Sequence, residues 1–143
     1  IREIRKQIRS SIILITHDIA VIAEMSDRIA VMYGGRIMEQ AKSLDLFESP
    51  FHPYTLGLKN AFPSIKDLDQ ELISIPGSPP SLIGLQTGCP FEARCPFSSD
   101  RCKKDVPEVV VKEKFHEVSC FRHMDAPELR EQAKKLSTWH YSN

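Results

Sequence analysis

No apolar run in this 143-residue sequence approaches the roughly 20 residues that a membrane-spanning helix needs. Neither sign of charge is in excess, with 19 Lys plus Arg against 19 Asp plus Glu. A general nucleic-acid or anionic-membrane surface requires a clear basic excess, so those partners are excluded. The basic stretch IREIRKQIRS at the start is read as the solvated face of an amphipathic helix. The same start lacks the charged, apolar and small-residue order of a signal peptide. There is no internal repeat and no low-complexity tract. The chain holds no G-x-x-x-x-G-K-[ST] phosphate loop and no G-x-S-x-G nucleophile elbow, which removes self-sufficient nucleotide hydrolysis and a serine hydrolase. Glu39 and Asp45 form no acid/base pair, because nothing places a nucleophile between them. The pattern is already under way at Ile1, so the sequence reads as part of a longer protein.

What is present falls into two halves. Ile1, Ile4 and Ile8 have helical spacing, and residues 1–9 are expected to end a helix. Ile12 to Ile15 is a continuous, mostly β-branched run, as in a strand covered on both faces. It stops at Thr16-His17-Asp18. Asp18 can N-cap a helix through IAVIAEM. RIAVMY and RIMEQ read as strands joined by a Gly34-Gly35 turn. A boundary is expected near residues 42–50. Beyond it, LDLFESP and HPYTLGLKNAFP read as short helices, the second with Pro53 in its first turn. ELISI reads as a strand, and PGSPP through SSDRC as irregular. HEVSCF reads as a short strand, and APELREQAKKLSTW as one final helix, roughly residues 127–139. The fold class expected is α/β, or α+β for this portion, with a small loop-rich second part.

Two groups of residues could carry chemistry. In an open parallel sheet, ligands sit beyond the carboxyl ends of the strands, where His17 would lie. Its imidazole could bond a phosphate oxygen or an attacking water. Spacing alone favours the plainer reading, in which Thr16 and Asp18 cap the helix and His17 points to solvent. The second group is Cys89, Cys95, Cys102 and Cys120, spaced C-x5-C-x6-C-x17-C. This is neither the C-x2-C of zinc ribbons nor the compact ferredoxin run. Four thiolates can enclose an iron–sulfur cluster or a tetrahedral zinc, and His116 or His123 could replace one of them; two disulfides in an oxidising compartment, or free buried cysteines, are the plainer readings. Spacing leaves cluster and zinc open. Pro50, His52, Pro53 and Tyr54 are read as a tight turn into a helix. Phe47, Phe51, Phe62, Leu56 and Leu58 are read as core.

The stretch IILITHDIAVIAEMSDRIAVMYGGRIMEQ resembles the end of the nucleotide-binding domain of ATP-binding cassette transporters. That resemblance covers residues 1 to about 42. It implies that His17 is the switch histidine contacting the γ-phosphate of ATP, with the phosphate loop and the Mg²⁺-binding strand lying outside this chain. These residues alone should then neither bind nor hydrolyse ATP. FESPFHPYTLGLKNAFP, IPGSPPSL and GCPFEARCPFSSDRC are similar to the C-terminal extension of the ATPase subunits of oligopeptide and dipeptide importers. This implies a division into 1–42, the remnant of a P-loop domain, and 43–143, the extension. It also implies a structural four-iron four-sulfur cluster on Cys89, Cys95, Cys102 and Cys120. Implied partners are a second ATPase subunit and membrane permeases, at the cytoplasmic face of the membrane. The alternative is a non-catalytic zinc- or iron–sulfur-binding module serving protein contacts. An uncovered strand at residues 12–15 should favour self-association.

Overall fold

In a computed structural model, the protein is described over residues 11–61, 72–81, 83, 87–113 and 115–140. The expected helix over residues 1–9 and the core position Phe62 lie outside these. Helix α1 (Ile19–Met25) begins where Asp18 accepts the Val21 amide at 3.1 Å, as expected of an N-cap. Strands β1 (Arg28–Tyr33) and β2 (Arg36–Lys42) pair antiparallel, with Tyr33 opposite Arg36. The two-residue turn between them needs positive φ at both positions, and Gly34 (56°) and Gly35 (77°) supply it. Helices α2 (Ser43–Glu48) and α3 (Pro53–Asn60) follow, the latter with Pro53 in its first turn.

The Pro-rich stretch is less irregular than its composition suggests. It contains a 3-10 turn at Glu92–Arg94 and a short helix α4 (Asp100–Lys104). Two further strands, β3 (Val110–Glu113) and β4 (His116–Val118), complete one antiparallel sheet in the order β1-β2-β4-β3. The described fold is therefore α+β. Because β2 pairs with β4, this sheet draws strands from both sides of residue 42.

Three expectations are corrected. Residues 12–15 join no sheet among the described residues, since a strand exists only by its ladder partner. Ile13 and Ile15 are 89% and 92% exposed. Leu72–Ile75 is not a strand either. There the Arg94 guanidinium takes the Ile75 and Pro76 carbonyls, at 2.9 and 2.7 Å, which a ladder would otherwise use. The final helix is two, α5 (Ala126–Ala133) and α6 (Leu136–Trp139). The Ala133 carbonyl accepts from Asn60 Nδ2 and from Trp139 Nε1, both at 2.9 Å, instead of from the next helical turn.

Two apolar clusters hold these elements. Ile29, Ala41 and Leu46 form one, with Ile22, Val31 and Phe47 packed against it, and so seat α1 and α2 on the hairpin. The larger joins Tyr33 and Met38 of the hairpin to Leu56, Ile73, Phe91, Phe97, Leu129, Ala133 and Trp139. Aromatic edges reinforce it, with Tyr33 centred 4.7 Å from Tyr54 and 5.2 Å from Phe91.

Candidate metal centre and the exposed histidine

The four cysteines arrive on different pieces of backbone and line one cavity. Its remaining wall includes His52, Pro53, Phe91, Phe97, Pro107 and Phe121. Cys89 precedes the 3-10 turn and Cys95 ends it. Cys102 sits inside α4, and Cys120 follows β4. All four are free thiols; Cys102 is buried and the others are half-buried. Cys89, Cys95 and Cys120 each receive the backbone N–H of the residue two positions on: Phe91, Phe97 and Arg122. Cys89 also receives that of Glu92. Amides aimed at sulfur stabilise a thiolate and suit a thiolate-ligated centre. Cys102 has Ser99 Oγ 3.4 Å from its sulfur instead.

Burial dominates the thiol energetics. It pushes Cys120 up to about 12 and raises Cys95 and Cys89 above the ordinary thiol range, with neighbouring sulfurs adding to the rise. The amides oppose this and do not offset it. Among the described residues, no group of three or more His, Cys, Asp or Glu is gathered closely enough to hold a single metal ion. The sulfurs line a wall rather than meet at a point. The donor set matches a four-thiolate group in residue type, while its spacing makes no single-ion site among the described residues.

Neither histidine considered as a substitute ligand lines the cysteine cavity. The His116 Nε2 lies 2.8 Å from Glu39 Oε1, and both side chains are buried. His123 Nδ1 bonds the Cys120 carbonyl at 2.8 Å, so it braces the backbone of that cysteine. The functional weight of Glu39 was not visible in sequence. Its carboxylate is 0% exposed and accepts three donors: the Phe51 amide at 2.6 Å, the His52 amide at 3.1 Å and His116. It ties β2 to β4 and to the start of α3. His52 is N-cap of α3, its Nδ1 accepting from the Tyr54 amide at 3.0 Å. Burial lowers its pKa to about 4 against an opposing pull from Glu39, so the ring is neutral at pH 7. The tight-turn reading of residues 50–54 holds, and Tyr54 packs on Tyr33 and Phe91. His52 also forms part of the cysteine cavity wall.

His17 is exposed, one residue before the cap of α1. Thr16 Oγ1 accepts the Asp18 amide at 3.0 Å, which fixes the backbone on both sides of the imidazole. The ring is not sealed in a core.

Residues 38–102 match a family described as the oligopeptide/dipeptide transporter C-terminal region. Over that stretch the chain is similar to the family. It is 43% identical over 107 residues to the oligopeptide transport ATP-binding protein OppD of Salmonella typhimurium, covering 75% of this chain and 32% of that protein. The dipeptide transport ATP-binding protein DppD of Caldanaerobacter subterraneus is 35% identical over 130 residues, 91% of this chain and 40% of its own length. DppD of Bacillus subtilis is 41% identical over 120 residues, 84% of this chain and 36% of its length. The chain thus spans about a third of the length of these relatives. The resemblance drawn from sequence is borne out, and the stand-alone metal module finds no support in these matches.

Proposed function

We propose that the chain is the C-terminal part of an ATP-hydrolysing subunit that energises import of peptides or related solutes. The observation that carries this is its 35–43% identity to ATP-binding proteins of oligopeptide and dipeptide transport. On this reading, residues 1–42 complete a P-loop nucleotide-binding domain and residues 43–143 form its extension. A second ATPase subunit and membrane permeases are its partners, and its place is the cytoplasmic face of the membrane. ATP and Mg²⁺ are bound by the longer protein. His17 supplies a ring nitrogen to the γ-phosphate or the attacking water. Its exposure beside a capped helix start supports that role. In the longer protein, His17→Ala should lower ATP hydrolysis roughly 10²-fold or more while ATP binding persists. Unchanged turnover would overturn the assignment.

For the second site we propose a four-iron four-sulfur cluster on Cys89, Cys95, Cys102 and Cys120. Such a cluster takes one thiolate at each of four separated corners, which suits sulfurs spread around a cavity better than a single zinc does. Bound there, it would cross-link loops that Phe91 and Phe97 already anchor in the core. Protein prepared anaerobically should contain iron and acid-labile sulfide. Stoichiometric zinc without iron would replace the cluster by the zinc alternative. Where nothing covers Ile13 and Ile15, self-association through residues 12–15 is expected; a monodisperse monomer in concentrated solution counts against it.

A further inference from the structure

The four thiols are not equivalent in how the backbone places them. The Cys89 amide donates to the Cys102 carbonyl at 2.8 Å, a direct main-chain bond between two of the four cysteines. Gly88, at φ +83°, brings the two strands of chain together. A side chain there would run into the Cys102 carbonyl and lie 2.6 Å from that of Lys103. With one N–H···O bond of this length the covalent geometry holds the two Cα atoms within roughly 6.5 Å, inside the window that a disulfide spans. Both side chains face the same cavity. Cys95 and Cys120 share the cavity wall but are held by separate local turns, Cys95 to Glu92 and Cys120 to His123.

We infer that Cys89 and Cys102 form a redox pair, closing to a disulfide under a two-electron thiol oxidant while Cys95 and Cys120 stay reduced. Cys89, half-buried, is reached first and Cys102, buried, second. With a diazene oxidant, the Cys89 sulfur adds to the N=N bond. The Cys102 sulfur then attacks the Cys89 sulfur and expels the hydrazine. One S–S bond forms, two S–H bonds break, and both protons and both electrons end on the hydrazine. The oxidised pair withdraws two of four donors, so oxidation and metal loading exclude one another. That consequence rests on the metal-centre reading, whereas the pairing itself does not.

The sequence makes the test direct, because trypsin places each cysteine in its own peptide: 67–94, 95–101, 102–103 and 115–122. Reduced, metal-stripped protein is treated with diamide, alkylated and mapped by mass spectrometry. The expected product joins peptides 67–94 and 102–103 with loss of about 2 Da, at least about tenfold over any other pairing, as for thiols already held together. The preference should vanish in guanidinium. Cys95→Ser and Cys120→Ser should retain the link. A Cys95–Cys120 link, a scrambled mixture in native buffer, or no intramolecular link overturns the inference. Iron and sulfide analysis of untreated protein judges the metal reading separately.

Discussion

Replacing Glu39 by Ala should be among the most damaging single changes in the described structure. The carboxylate is fully buried, and its removal strands the Phe51 and His52 amides and the His116 imidazole. Each bond to a charged acceptor contributes about 1.5–3 kcal/mol net, and each stranded buried donor carries a penalty of similar size. Water entering the space left behind recovers part, so a loss of about 3–5 kcal/mol is expected, as when one partner of a buried pair is deleted. Against a domain stability of about 5–15 kcal/mol this is a large fraction. Trp139 is the only tryptophan and is buried, so its fluorescence reports unfolding in urea. With a urea slope of about 1–3 kcal/mol/M, the midpoint should fall by about 2 M. Glu39→Gln keeps the volume and one acceptor but turns an NH₂ toward a donor, and should lose about half as much. Asp45→Ala, at a half-buried position in α2, should stay within about 0.5 kcal/mol. A loss below about 1 kcal/mol for Glu39→Ala would refute the claim that this carboxylate joins β2 to β4 and α3.

Two further outcomes depend on protons. Because burial raises Cys89, Cys95 and Cys120, loading a thiolate-bound metal must expel protons, and apparent affinity should climb with pH; a Co²⁺ titration followed by thiolate charge-transfer absorption that ignores pH would count against ligation. His52 titrates near 6.5 when unfolded and near 4 when folded, so the unfolded chain takes the proton first. Its stabilising share is complete above pH 6.5 and is lost as pH falls toward 4, amounting to about 3 kcal/mol. His52→Gln should flatten the dependence of the urea midpoint over that interval, and an unaltered profile would show that another group governs it.

What could be read from sequence was what local chemistry fixes. Asp18 caps α1, Gly34-Gly35 makes the hairpin, and Pro53 opens α3, because each signal needs only its neighbours. Residues 12–15 carry as strong a strand signal as β1 but have no ladder partner among the described residues. β3 was missed although Val109, Val110 and Val111 form a β-branched run that could have disclosed it. The Glu39–His116 bond spans 77 positions of chain, and no spacing rule reaches that far. The cysteines were legible as a set, since three thiols in a Pro-rich loop and a fourth after a returning strand have few other uses. Their nonequivalence was not, because it depends on a backbone bond between Cys89 and Cys102.

The residues after position 42 share one core with the hairpin, and Gly57 shows how tightly that core is packed. A side chain at Gly57 would lie 2.7 Å from both Ile75 Cδ1 and the Trp139 ring. The bare α3 surface is what lets the indole of α6 in, where its Nε1 bonds Ala133 and its ring meets Phe97 edge-on at 6.5 Å. Gly57→Ala should therefore overpack the site, with a loss of about 1–3 kcal/mol despite the better helix propensity of alanine. Trp139→Ala should remove about 3–5 kcal/mol through the cavity it leaves. The two losses should not add. Without the indole, the new methyl meets only Ile75, whose terminal carbons can shift, so the double variant should be more stable than the sum of the singles by about 1 kcal/mol or more. Circular dichroism during denaturation measures all three without relying on Trp139. Strict additivity would mean that α6 does not seat on α3.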